Sequence, residues 1–400
     1  MESGEDSSPD TMSSVNVSPY NREVKVRGPR VEIHDTTLRE GEQAPGIVFK
    51  ADEKVKIAGM LFEMGVDRIE AGFPASSRME YESVRRIVGE YGDKGVFGFA
   101  RAVKRDIDSV IGTGAGGVLL SFPPSEIHLK YKLRITKEEY LRRATECVEY
   151  SKEHGLKVIF SAEDATRASY EWLSKVFRTL WDVGVDVCRI ADTVGCILPS
   201  AMHALVSRLI DEIGCEIEVH CHNDHGLALA NSLAAYEAGA TGISSSVLGL
   251  GERTGIAATE ELVVALHNLY GVKKYKIGMV GELCDYVARV AGIKVHPAKP
   301  VIGDYAFTHY SGIHQDGVLK NPIVYESYSP ELVGRRRKIL VGAVSGRSVI
   351  KAKLREMGIE LDDDELYRLS MKIKELAFNR RSAFADEELV RILKDLGVIK

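Results

Sequence analysis

The chain is 400 residues long, 44% hydrophobic and 28% charged, with a formal net charge of -5. That length suits one large domain plus a smaller one, in the ordinary composition of a globular protein. Basic residues are spread along the chain, which excludes an electrostatic footprint for nucleic acid, and no apolar stretch approaches a membrane span or a signal-peptide core.

Residues 1–22 are rich in Ser, Asp and Glu and poor in large apolar side chains. Such a segment buries too little surface to order itself, so a flexible tail is expected. From residue 23 to about 275, short β-like runs alternate with longer helical patterns. The predicted strands are 31–35, 67–71, 95–99, 116–121, 157–161, 186–190, 216–220 and 242–247. Helices are predicted between them, among others over 51–65, 137–154, 168–183, 199–213 and 226–239. In 137–154, Tyr140, Ala144, Cys147 and Val148 fall at helical spacing. Eight β–α units in about 240 residues match the count and length of a TIM barrel. A doubly wound sheet is the alternative, but it has no need of eight regular repeats. Over 276–400 the alternation stops. Helical patterns at Asp363–Glu375 and Asp386–Leu396, separated by Asn379-Arg380-Arg381, mark a mainly helical accessory region.

Two runs concentrate reactive side chains. His34-Asp35-Thr36-Thr37-Leu38-Arg39-Glu40-Gly41-Glu42-Gln43 follows the first strand and precedes the first helix. By itself it reads equally as a solvated turn. The second run is Val219-His220-Cys221-His222-Asn223-Asp224-His225-Gly226. Alternate residues of a strand share a face, so His220 and His222 project together and Cys221 turns to the opposite face, into the core. Two imidazoles with a carboxylate make a divalent-metal site; the alternative is a structural histidine pair. The cysteines at 147, 188, 196, 215, 221 and 284 show no paired spacing and read as reduced, mostly buried thiols of a cytoplasmic protein. Arg335-Arg336-Arg337-Lys338 reads as a surface turn, with a CoA phosphate contact as its second reading.

These runs resemble the acyl-CoA-condensing branch of the DRE-TIM metallolyases, the homocitrate, 2-isopropylmalate and citramalate synthases. Asp35 to Gln43 matches the first signature of that family, and His220 with His222 matches its His-x-His pair. Ser161-Ala162-Glu163-Asp164, Ala191-Asp192-Thr193-Val194-Gly195, Gly249-Leu250-Gly251-Glu252-Arg253 and His309-Tyr310-Ser311-Gly312-Ile313-His314 match further, in the family's order. The resemblance spans roughly residues 30–350. It implies a metal-dependent condensation of acetyl-CoA with a 2-oxo acid, followed by thioester hydrolysis, in a homodimer. Glu40, His220 and His222 are the implied ligands of a divalent zinc, manganese or magnesium ion. Arg39 is the implied stabiliser of alkoxide charge, and Glu163, His314 and Tyr325 carry the proton transfer, with His314 as base and Glu163 orienting it. Arg39, Gln43, Glu70, Ser161 and Thr193 are the expected substrate contacts. Gly249, Gly251, Glu252 and Arg253 form a glycine-rich turn that either contacts acetyl-CoA or scaffolds the site.

Within the family, Glu40 and Ile256 resemble homocitrate synthases, as does an end at residue 400 that leaves no room for a leucine-sensing domain. The expected acceptor is 2-oxoglutarate, with isopropylmalate, citramalate and Re-face citrate synthase as alternatives and a catalytically silent binding homologue as the reading from another class. Ile159 and Val103 stand where lysine-pathway homocitrate synthases carry Arg and His for the distal carboxylate. Arg101, Lys130 or His128 is then expected to supply charge. A pocket lined by Ile159, Val103 and Phe160 would instead favour a small apolar side chain.

Overall fold

Each strand expected between residues 31 and 247 is present in the computed structural model, which describes residues 15–28 and 30–399. The strands are β1 (Glu32–Asp35), β2 (Arg68–Gly72), β3 (Val96–Arg101), β4 (Gly117–Ser121), β5 (Lys157–Ala162), β6 (Val187–Asp192), β7 (Ile217–Cys221) and β8 (Gly242–Ser245). They form one closed parallel barrel in sequence order, shut by β1 against β8 from Glu32–Gly242 to Asp35–Ser245. The TIM-barrel expectation is met. Helices Ala51–Met64, Arg78–Tyr91, Lys104–Thr113, Lys137–Glu153, Tyr170–Asp182, Pro199–Ile213, Ala228–Glu237 and Thr259–Leu269 follow successive strands. Their starts are set locally. The Ser77 and Thr136 hydroxyls each accept the N–H three residues on, at 3.1 and 3.2 Å, and Pro199 opens its helix where no N–H is needed.

The chain divides into two compact units, Pro19–Lys294 and residues up to Ser18 with Val295–Lys400. The helix Val280–Val290 belongs to the first. Of the segment expected to be a flexible tail, residues 1–14 lie outside the described residues. Val15 forms an antiparallel bridge with Tyr328, and the Asn16 N–H donates to the Ser327 carbonyl at 2.7 Å. Backbone pairing anchors this stretch, and composition carries no sign of it.

The barrel interior has two unlike halves. Phe97, Leu119 and Ile159 pack together with Phe99 and Val187 against them. β1, β2, β6 and β7 turn His34, Glu70, Arg189, Glu218 and His220 inward, all of them buried. TIM-barrel interiors are dominated by branched apolar side chains, so an ionic half is a departure that requires every charge to be paired.

In the second unit, helices Gly312–Lys320, Arg347–Glu356, Asp363–Arg380 and Asp386–Asp395 accompany a two-stranded parallel sheet, β9 (Thr308–His309) with β10 (Lys338–Ile339). Val349, Ile350, Leu366, Ile373 and Leu393 lie at its core. Two-residue strands are too short to carry a periodicity, which is why sequence reading shows only the helices.

Candidate active site

The turn after β1 is fixed by its own backbone. The Thr36 carbonyl accepts the N–H groups of Arg39, Glu40 and Gly41, at 3.1, 2.8 and 3.2 Å. Asp35 is buried beneath it and accepts from the Thr37 N–H at 2.8 Å and the Thr259 hydroxyl at 2.7 Å. Burial pushes the Asp35 carboxyl up to about 6 despite these bonds. The turn therefore presents Arg39 and Glu40 at the carboxyl end of the barrel, beside the end of β7.

There, Glu40, His220 and His222 converge, with their ligand atoms all within 4.8 Å of one another and all three side chains buried. The two Nε2 atoms lie 3.3 Å apart, and His222 Nε2 is 3.9 Å from Glu40 Oε1. Nitrogens bound to one ion at about 2.1 Å stand about 3.0–3.4 Å apart at angles between octahedral and tetrahedral, so the spacing fits. His220 Nδ1 lies 2.9 Å from the Ser244 hydroxyl, which turns Nε2 toward the gap. Burial holds both imidazoles below their usual range, and the neighbouring His222 lowers His220 further, which favours the neutral rings that a cation needs. His222 Nδ1, on the far side of the ring, is buried without a hydrogen-bond partner among the described residues. The donor set fits a divalent cation.

Arg39 donates through Nη1 to Glu40 and through Nε to Glu70 Oε2, the latter at 2.5 Å. Its Nη2 makes no hydrogen bond to a described residue. The Phe99 ring lies 4.8 Å from the guanidinium. With its amide nitrogen facing Glu40, Gln43 donates to both carboxylate oxygens at 2.8 and 3.1 Å. Glu70 lies inside the barrel and accepts from Thr36, Arg39 and Arg189; against the upward push of burial, the two guanidinium charges hold its carboxyl far below the usual range.

A cavity of about 1420 Å³ opens over these groups, lined by Arg39, Glu40, Gln43, Ser161, Glu163, Thr193, His220 and His222 among others. The structure thus gathers most of the expected site residues around one space. It corrects the apolar lining. Ile159 lies one layer below Ser161, packed on Phe97 and Leu119, and Phe160 faces the opposite side of β5; both are buried away from the cavity wall. Phe73 and Phe99 form the wall, edge to face at 5.0 Å, and Val103 stays at the rim. Strand alternation places Ser161 rather than Phe160 inward. Of the cations expected near a distal carboxylate, Arg101 lines the cavity and Lys132 takes the place expected for Lys130. Arg101 is paired with Asp106 at 2.7 Å and Lys132 with Glu163 at 2.6 Å. His128 is outside the lining, 3.0 Å from Asp164 and 3.8 Å from Glu163.

The glycine-rich turn directs one backbone N–H and the Arg253 guanidinium at the protein. The Glu252 N–H donates to Glu40 Oε1 at 3.1 Å, and Arg253 binds Asp224 at 2.7 Å and the Thr193 carbonyl at 2.6 Å. Gly255 has φ +79°, and a Cβ there would lie 1.8 Å from the Gly249 carbonyl oxygen. At Gly251 a Cβ would stand 3.1 Å from Glu40 Cγ. Gly251→Ala is therefore expected to push Glu40 aside and lower metal affinity by about 10- to 100-fold, the scale for a lost outer partner, with little change in Tm. Competition with a fluorescent chelator measures this, and unchanged affinity would show that Glu40 yields to the added methyl without losing its place at the ion.

The family profile described as HMGL-like matches residues 30–287, and one described as homocitrate synthase post-HMGL domain-like matches residues 301–381. Homocitrate synthase AksA of Methanopyrus kandleri is 44% identical over 384 residues, covering 95% of this chain and 96% of that one. The 2-isopropylmalate synthase of Sulfolobus acidocaldarius is 47% identical over 358 residues, covering 88% and 92%. The chain belongs to the homocitrate and 2-isopropylmalate synthase family. Among solved structures, the HMG-CoA lyase of Bacillus subtilis shares the fold, with a TM-score of 0.62 and 18% identity over 68% of this chain and 96% of that one.

In this family member, His314 and Tyr325 lie in the second unit, exposed, with their rings stacked 4.0 Å apart. The residues that motif reading missed in the synthase are Arg189 and Glu218, buried partners at 2.5 Å. A signal was available: each is a charge set inside an apolar run, Val187-Cys188-Arg189-Ile190 and Ile217-Glu218-Val219. Cys221 is buried as expected, whereas Cys196 is exposed; all six cysteines are free.

Proposed function

We propose that the barrel site condenses acetyl-CoA with a 2-oxo acid and hydrolyses the resulting thioester, releasing free CoA. The observation that carries this reading is the Glu40–His220–His222 cluster beside Arg39, under one cavity. A divalent ion held by that trio would act as a Lewis acid toward a keto group. Two imidazoles suit zinc or manganese better than magnesium. Arg39 supplies Nη2 as a donor for charge developing on the attacked oxygen. Ser161 and Thr193, on the cavity wall, offer hydroxyls to the oxo acid. Proton abstraction from the acetyl methyl group is assigned to His314 and Glu163, with Tyr325 beside His314, by the family resemblance of these positions. The hydrogen bonds of the glycine turn support scaffolding of Glu40 over direct contact with acetyl-CoA. The same resemblance makes the protein a cytoplasmic homodimer.

The acceptor we favour is 2-oxoglutarate, on the resemblance of Glu40 and Ile256 to homocitrate synthases and the cations Arg101 and Lys132 on the cavity wall. A desolvated second carboxylate requires such partners. The aromatic wall of Phe73 and Phe99 supports a second reading, 2-oxoisovalerate. Thiol release from acetyl-CoA with 2-oxoglutarate, 2-oxoisovalerate, pyruvate and oxaloacetate, under one metal condition, tests both. A site that hydrogen-bonds the distal carboxylate should favour 2-oxoglutarate in kcat/KM by about 10⁴-fold over 2-oxoisovalerate. Preference for 2-oxoisovalerate would make the enzyme an isopropylmalate synthase, and no thiol release with any acceptor would end the condensation reading.

A further inference from the structure

Arg189 heads the fully buried side chains by size among the described residues, with 1% of it exposed. Nη1 donates to Glu70 Oε1 at 2.5 Å, Nε to Glu218 Oε1 at 2.5 Å, and Nη2 lies 2.8 Å from His34 Nδ1. The other oxygen of Glu70 accepts from Arg39 Nε at 2.5 Å and from the Thr36 hydroxyl at 2.9 Å. One buried carboxylate thus joins two guanidinium groups.

Left to themselves, an arginine and a carboxylate favour the parallel two-bond fork. Arg189 occupies Oε1, so Glu70 has only Oε2 to offer Arg39. Arg39, which lines the cavity, is held by one bond at Nε, its Nη1 goes to Glu40, and Nη2 is left without a described partner. We infer that Arg189 is a positioning residue for the condensation proposed above: by taking one oxygen of Glu70 it blocks the Glu70–Arg39 fork and keeps an Arg39 donor free for the oxo acid. Without Arg189, Glu70 Oε1 is a buried charge short of a partner, and Arg39 is the cation already bonded to that carboxylate. The fork closes and draws the guanidinium toward Glu70.

Arg189→Met alone would take one of two cations from both Glu70, which keeps Arg39, and Glu218, which keeps Arg68 at 3.4 Å, a change that threatens folding. The test therefore pairs R189M with E218Q, removing one charge of each sign, in the full-length metal-loaded protein. Two readouts are needed: a crystal structure of the double variant, and kcat and KM for thiol release with the best 2-oxo acid. The expected result is an Arg39 fork on Glu70 with kcat lowered about 100-fold, the scale for one lost oxyanion donor, and an oxo-acid KM within about threefold. An unmoved Arg39, or a kcat near that of the unaltered enzyme, would overturn the inference and leave Arg189 as a neutralising charge. Should the unaltered enzyme release no thiol, the condensation reading fails, while the crystal structure still decides the Arg39 geometry. If the double variant does not fold, R189K is measured in the same way. An ammonium serves one of the two carboxylates, so about tenfold lower kcat is expected, and an unchanged kcat overturns the proposal.

Discussion

His222→Ala is expected to yield a folded protein that has lost its divalent ion and its turnover. The ring is one of three buried ligand side chains, and its removal leaves Glu40 and His220 alone around the ion. Two ligands hold a divalent cation poorly, and Lewis-acid assistance is worth several kcal/mol, so kcat should fall by about three orders of magnitude or more. Folding should survive, because Glu40 keeps its bonds to Arg39, Gln43 and the Glu252 N–H, while His220 keeps Ser244. Elemental analysis of the purified variant, circular dichroism and the thiol-release assay read the three parts separately. Chelation of the unaltered enzyme should reproduce the loss, and re-addition of zinc or manganese should reverse it. Full activity in metal-free protein would refute the assignment of Glu40, His220 and His222.

The second large effect concerns the base. His314→Ala is expected to lower kcat by about two to four orders of magnitude, the usual scale for a lost general base. The ring is exposed and stacked only on Tyr325, so its removal should cost little stability. Metal content and oxo-acid binding, measured by calorimetry, should stay near those of the unaltered enzyme. Exchange of acetyl methyl protons with solvent deuterium reports the step itself and should disappear. Glu163→Gln discriminates the two candidates. If it abolishes exchange while His314→Ala leaves it intact, Glu163 is the base and the assignment to His314 is wrong.

The barrel and the ligand pair were legible in the chain because both are written in local pattern. β-like runs alternating with 3.6-residue periodicity mark the eight units, and a two-residue repeat puts His220 and His222 on one face of β7 whatever surrounds them. Capping residues such as Ser77 and Thr136 mark helix starts for the same reason. Resemblance added Glu40, whose approach to His222 no spacing rule provides. Tertiary structure alone decided the rest. The pairing of Arg189 with Glu70 and Glu218 joins β6 to β2 and β7 across the barrel interior, 119 and 29 residues away along the chain. The wall of Phe73 and Phe99 in place of Ile159 and Phe160, and the Glu252 N–H directed at Glu40, depend on which strand ends and loops meet over the cavity. Sequence periodicity assigns a side chain to a face; the partner it meets there is set by barrel closure, which brings together residues that no local pattern relates.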